Sequence, residues 1–172
     1  RIMVVEGPID QKLTVVTDLY VGQPSSATLV TDASTSPSGD QVWYWSYTAG
    51  GRLASVSDIE GGETTYSYDS RGNITQVTTS PKLGPPATAI RTSATYPTTC
   101  TNLVTCNLPL TTTDAAGNVT NYTWDSTHGG LLTVTAPAPT AGATRPETRY
   151  TYAPQTAYFK NSSGVIAAAP SA

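Results

Sequence analysis

The chain is poor in the residues that build an ordinary core and in those that do chemistry. Leu, Ile, Val and Phe together number 30 of 172 residues, about 17%, below the level at which a chain ordinarily has enough apolar surface to fold. It has one histidine, one methionine, one phenylalanine and two cysteines, and charged residues make up 12% with a net charge of −3. One imidazole and two thiols cannot supply the four ligands of a zinc site. No basic cluster is present to meet a phosphate backbone, and no apolar run approaches the ~20 residues of a membrane-spanning helix. The chain opens at Arg1 with no Met or leader and reads as a piece of a longer polypeptide.

What is abundant answers part of that deficit. There are 31 Thr, 10 Tyr and 3 Trp, with 14 Gly and 13 Pro as punctuation. Thr resists helix through its branched Cβ and, with Tyr, fits a pleated, half-buried surface. The aromatic rings restore burial capacity, and the low net charge argues against disorder. The composition is that of an all-β chain with many turns.

The turns follow a repeated phrase, an aromatic residue or Asp followed closely by Gly and then a strand. It occurs at 47–53, 58–61, 68–74 and 114–119, and in a form stretched by one residue at 124–131. Turn glycines at 51, 61 and 72 are ten and eleven residues apart, the length of one strand plus one tight turn, so the spacing predicts an antiparallel meander. Asp at the turn start bonds backbone two residues on, and Gly accepts positive φ. The expected turn residues are Asp58 with Gly61, Asp69 with Gly72, Asp114 with Gly117, and Asp125 with Gly130.

Between the turns lie strand candidates at 2–5, 13–19, 27–31, 52–57, 63–68, 73–78, 89–96, 108–113, 121–124 and 149–152. Residues two apart share a strand face. Trp43, Trp45 and Tyr47 therefore form one aromatic row, followed by Tyr66 with Tyr68, Tyr122 with Trp124, and Tyr150 with Tyr152. These rows are expected to stack as a ladder across neighbouring strands. The rival reading of the same rings is sugar stacking, with Trp43, Tyr44, Trp45 and Tyr47 as the platform. Leu53 and Val56, or Ile74 and Val77, are three apart, which implies either a sheet covered on both faces or a bulge. Residues 34–39 read as a polar loop, 80–87 as an irregular one, 136–146 as an Ala/Pro/Thr-rich stretch that is either a polyproline-like hairpin tip or an extended connection, and 164–172 as a loosely held tail. Cys100 and Cys106 are expected to close a seven-residue disulfide loop, with two free thiols as the alternative; the disulfide, if formed, favours an oxidising, extracytoplasmic location.

The sequence 62–75, with Tyr68-Asp69-Ser70-Arg71-Gly72-Asn73-Ile74-Thr75 at its centre, resembles the YD repeat of the RHS-repeat proteins. Gly51-Arg52-Leu53 and Asp58 with Gly61 extend the resemblance backwards. Residues 114–132 supply another copy, with Trp124-Asp125 where Tyr-Asp is usual. The clear resemblance covers 47–79 and 110–135. It implies strips of antiparallel β-hairpins, repeated as a β-shell or solenoid-like array, which in relatives enclose or display another polypeptide. On that basis residues 1–46 are diverged repeat strands, and 47–135 is a clear YD-repeat array with an inserted region at 80–110. Residues 136–172 hold the Pro/Ala-rich loop, a last hairpin and the tail.

The repeats of this family are not enzymes, and the Asp-Pro-x-Gly-Leu hallmark of self-cleaving relatives is absent here. His128 lies in the stretched turn 126–130, and no Gly-x-Ser-x-Gly elbow accompanies it. The turn aspartates do not sit in a calcium-loop pattern, and no phosphate loop opens a helix. No catalytic residue, metal site or cofactor is expected. The sequence reading is a non-enzymatic structural segment of a large secreted or cell-surface bacterial RHS-repeat protein. Its alternatives are a self-assembling extracellular fibre joined through open sheet edges and a carbohydrate-binding module. The partners expected are neighbouring repeats or other copies of the chain, with a surface polysaccharide under the third reading, and neither nucleic acid nor membrane insertion. Sequons at Asn73, Asn118, Asn121 and Asn161 carry no weight in so Thr-rich a chain.

Overall fold

The computed structural model describes residues 2–6, 12–17, 24–30, 41–58, 60–81 and 88–169. Twelve strands follow one another in sequence order across a single antiparallel sheet. They are β1 (Ile2–Glu6), β2 (Lys12–Thr17), β3 (Pro24–Val30), β4 (Gln41–Tyr47), β5 (Leu53–Ser57) and β6 (Glu63–Tyr68), then β7 (Ile74–Ser80), β8 (Ile90–Thr95), β9 (Thr111–Thr113), β10 (Val119–Trp124), β11 (Leu131–Thr135) and β12 (Glu147–Arg149). A separate two-stranded sheet pairs β13 (Tyr158–Lys160) with β14 (Ile166–Ala168). The described residues contain no helix, and every strand pair is antiparallel, as the turn spacing and the Thr/Tyr composition require.

The expected return strand 108–113 is shorter, starting at Thr111. The expected strand 149–152 becomes β12, which ends at Arg149 and leaves Tyr150 and Tyr152 beyond its last residue. The tail is not uniformly loose, because residues 166–168 form a strand. The expected loop 34–39, most of the loop 80–87, strand ends 18–19 and 31, and residues 170–172 lie outside the described residues.

Register settles how the sheet presents its two faces, because directly opposed residues share a face. Three hairpins repeat one arrangement. Trp45 opposes Val56 and Tyr47 opposes Leu53. Tyr66 opposes Val77 and Tyr68 opposes Ile74. Tyr122 opposes Val134 and Trp124 opposes Leu131. In each hairpin the register slips once, beside Tyr47, Tyr68 and Trp124, so that one extra residue (Ala54, Thr75 or Leu132) enters the returning strand. That extra residue is a β-bulge. It brings Leu53 and Val56, or Ile74 and Val77, to the same face although they are three apart, which decides between the two sequence alternatives in favour of the bulge.

The opposite face is hydroxyl-rich. Pairs across it are Ser46 with Ser55, Thr95 with Thr111 and Thr123 with Thr133, whose hydroxyls bond at 2.8, 2.7 and 2.7 Å. Such cross-strand hydroxyl pairs stabilise a sheet by roughly 0.2–1 kcal/mol each. Among the described residues only Cys106 is buried, at 3% exposure. The strands of the twelve-stranded sheet pair only with their sequence neighbours, so the aromatic and aliphatic side chains of β4–β7, β10 and β11 meet partners across adjacent strands.

Candidate functional site

The turns carry the densest polar geometry. At Asp69 the backbone N–H of Arg71 and of Asn73 both donate to Oδ1 at 2.9 Å, and the Asn73 amide donates to Oδ2 at 2.8 Å. The Gly72 N–H bonds the Asp69 carbonyl at 3.1 Å, and the Asp69 N–H bonds the Asn73 carbonyl at 3.0 Å. The same pattern recurs at Asp58 and Asp114, and at Asn161 in the β13–β14 turn. Thr48 uses its hydroxyl in the corresponding place. Gly51, Gly61, Gly72, Gly117 and Gly164 all adopt positive φ.

These bonds act on the carboxylates in turn. At Asp69 partial desolvation raises the pKa, but the bonds from Asn73 and Arg71 outweigh it and hold the group below its ordinary value of 3.8. Asp114 is lowered chiefly by the Asn118 side-chain and backbone bonds. Asp125 is lowered by the Thr127 and His128 backbone bonds. N–H bonds to a carboxylate are stronger than to the protonated acid, so they favour the charged form.

The stretched turn departs from the expectation for Gly130. Positive φ falls on Gly129 (71°), whose N–H bonds the Asp125 carbonyl at 3.0 Å. Gly130 is required for a different reason: a Cβ there would lie 2.7 Å from both His128 Cε1 and Tyr152 Cζ. The Gly130 N–H donates to His128 Nδ1 at 3.0 Å, and His128 Nε2 lies 3.5 Å from Asp125 Oδ1. The His128 ring meets Tyr152 edge-on at 4.8 Å. His128 is thus engaged in holding its turn.

The aromatic rows do not form the expected ladder across adjacent strands. Rows on β4, β6 and β10 are each followed by an aliphatic strand, so a ring faces Val, Leu or Ile across the pair. The stacked rings are Tyr122 and Trp124, 6.1 Å apart along one strand. Trp43, Trp45 and Tyr47 share a face by alternation, while Tyr44 opposes Ser57 on the other side and is 56% exposed. The four-ring platform is therefore divided between the two faces.

A contact that sequence reasoning missed links successive hairpins. The Tyr68 hydroxyl donates to the Leu53 carbonyl at 2.7 Å, Tyr96 to Ile74 at 3.2 Å, and Tyr152 to Leu131 at 3.0 Å. Each acceptor is the aliphatic residue at the bulge of the preceding hairpin. A bulge disrupts the ladder locally, and the tyrosine of the next hairpin supplies a donor at that point. Trp124, standing where tyrosine is usual, donates its Nε1–H to the Pro109 carbonyl at 2.8 Å.

The insertion between β8 and β9 packs over the turn ends. Cys100 and Cys106 are joined as a disulfide, and the Asn102 amide donates to the Ser126 carbonyl at 2.8 Å. Arg71 reaches the Pro97 and Thr98 carbonyls from the neighbouring turn, and the Asn73 amide donates to Asn107 Oδ1 at 3.1 Å. Leu103 projects from this loop at 88% exposure. Among the described residues no group of three or more His, Cys, Asp or Glu side chains is arranged to hold a metal ion, and no helix is long and apolar enough to cross a membrane.

The family model described as RHS Repeat matches residues 47–82, the window that holds the turns at Thr48, Asp58 and Asp69 and the Tyr68 contact. That family is a structural repeat, and the match indicates no catalytic family. No curated protein matches the chain. The crystal structure of TcdB2-TccC3 without its hypervariable C-terminal region shares the fold over 84% of this chain, with a TM-score of 0.59 and 15% sequence identity. This chain spans only 7% of that one. Residues 47–82 are thus similar to the RHS repeat, and the hairpin geometry found there recurs at 122–134.

Proposed function

We propose that the chain is a non-enzymatic stretch of wall in a large secreted or cell-surface RHS-repeat protein, where its hairpins continue into neighbouring repeats to build a β-shell. The observation that carries this reading is the hairpin-to-hairpin contact: each tyrosine hydroxyl bonds the bulge of the hairpin before it. Stabilisation is passed from neighbour to neighbour, as in repeat arrays generally, and a sheet with one buried residue among those described gains little from a core of its own. The fold it shares with TcdB2-TccC3 and the disulfide at Cys100–Cys106 support the same assignment, the latter by favouring an oxidising compartment.

Electron microscopy of the intact polypeptide that carries this chain tests the proposal. Closed, hollow particles with walls one sheet thick are expected. Filaments joined edge to edge, or solid particles without a lumen, would overturn it.

A further inference from the structure

The aromatic face has a gap at Ala94. Three hairpins place two rings two residues apart, at Trp45 and Tyr47, Tyr66 and Tyr68, and Tyr122 and Trp124, and Tyr150 and Tyr152 repeat that spacing beyond the end of β12. Beside β8, Tyr96 keeps its hydroxyl contact to the Ile74 carbonyl, but the position two residues before it is Ala94. Where Trp45, Tyr66 and Tyr122 each oppose a valine, Ala94 opposes Thr112. The sheet is intact there, so the missing ring leaves an open notch of about 340 Å³, lined on this face by Ile74, Val77, Thr92, Ala94 and Thr112. Asp114 stands at its rim as the single charged lining residue. Ile74, Val77 and Ala94 give it an apolar floor that an aromatic ring can cover.

The same chain carries a ring with little to cover it. The β13–β14 hairpin forms its own sheet. Its register sets Lys160 against Ile166 and Tyr158 against Ala168, so Tyr158, Lys160 and Ile166 share one face. Tyr158 is 69% and Ile166 72% exposed. Tyr158 and Lys160, two residues apart on a strand, present a ring and a cation about 7 Å apart.

We propose that the notch at Ala94 receives Tyr158 from a second copy of the chain, with Lys160 set against Asp114. The ring fills the place that Trp45, Tyr66 and Tyr122 fill in their hairpins, and the charges at the rim are complementary in sign. The contact joins two different patches, so it is head-to-tail and propagates through successive copies unless a rotation closes it. It is distinct from pairing of open sheet edges, and it does not rest on the wall reading above.

Sedimentation of the full chain over a range of concentrations provides the test. Tyr158→Ala and Ala94→Tyr are each expected to raise the self-association constant for dissociation about tenfold or more, as loss of a central aromatic anchor does. Lys160→Glu is expected to weaken association in low salt and to lose its effect in high salt. Ala94→Tyr restores the ring of the other hairpins, so its melting temperature is expected to match or exceed that of the parent chain. Tyr158 is exposed, so its truncation leaves the fold intact and keeps the test decisive should Ala94→Tyr fold poorly. A chain that stays monomeric at every concentration overturns the inference, as does association that survives Tyr158→Ala. Saturable binding of free phenol or indole in the notch without self-association overturns the second copy as the occupant.

Discussion

The contact from Tyr68 to Leu53 offers the sharpest quantitative test of how the hairpins hold together. Tyr68→Phe removes one hydroxyl and keeps the ring, its place opposite Ile74 and the Arg52 guanidinium 5.9 Å above it. The lost bond is 2.7 Å long and half-buried. A typical protein hydrogen bond contributes about 0.5–1.5 kcal/mol net, and a stranded acceptor costs more where water cannot replace the donor. Half-burial places the expected loss near the middle, about 1 kcal/mol. With a urea m-value of about 2 kcal/mol/M, that lowers the unfolding midpoint by roughly 0.5 M at unchanged slope. The corresponding Tyr96 and Tyr152 contacts are longer, at 3.2 and 3.0 Å, and exposed, so Tyr96→Phe and Tyr152→Phe are expected to cost about half as much. Tyr66→Phe is the control, because its hydroxyl has no partner among the described residues and its ring stays opposite Val77. Equilibrium urea unfolding followed by tryptophan fluorescence reads all four. A Tyr68→Phe chain within about 0.3 kcal/mol of the parent, or a Tyr66→Phe chain losing as much, would refute the reasoning.

Three further outcomes follow from the turns and the cysteine loop. Gly72→Ala is expected to destabilise more than Gly117→Ala: both glycines have positive φ, costing about 1 kcal/mol each for a side chain, but a Cβ at 72 also meets the Arg52 guanidinium at 2.8 Å while one at 117 meets nothing. Thermal melts rank the two. Asp69, Asp114 and Asp125 have folded-state pKa values below the ordinary 3.8, so their contribution is present above that value and lost as pH falls through the lowered one; melting temperatures should be level from pH 7 to 5 and fall below about pH 4, and Asp114→Asn should flatten that fall. Replacing Cys100 and Cys106 by serine opens a loop of separation 6 and is expected to cost about 2 kcal/mol on chain-entropy grounds, with reductant producing the same loss in the parent chain and none in the variant.

The turns were legible in the sequence because their determinants are local. Asp69, Gly72 and Asn73 satisfy one another within five residues, so composition and order suffice to place them. The stretched turn shows the limit of that logic. Gly129 and Gly130 are adjacent and chemically identical, and only the backbone path and the approach of Tyr152 assign positive φ to one and close packing to the other. The aromatic rows were visible by period, but their cross-strand partners were not. A bulge of one residue in each hairpin moves Leu53 and Ile74 across the sheet, and an apolar spacing of three carries no sign that distinguishes this from a sheet covered on both faces. The Tyr68, Tyr96 and Tyr152 hydroxyl bonds span separations of 15, 22 and 21 residues, beyond the reach of any local pattern.

By itself the sequence determined the all-β class, the turn positions and the hairpin period, since Thr, Tyr, Asp and Gly act through backbone preferences that each residue expresses on its own. The tertiary structure decided which face each side chain joins, which carbonyl Tyr68, Tyr96 and Tyr152 reach, and that Ala94 leaves a notch beside Ile74 and Val77. Those outcomes depend on register, and register is fixed between strands: one residue of slip reverses a face, so no single strand contains the information.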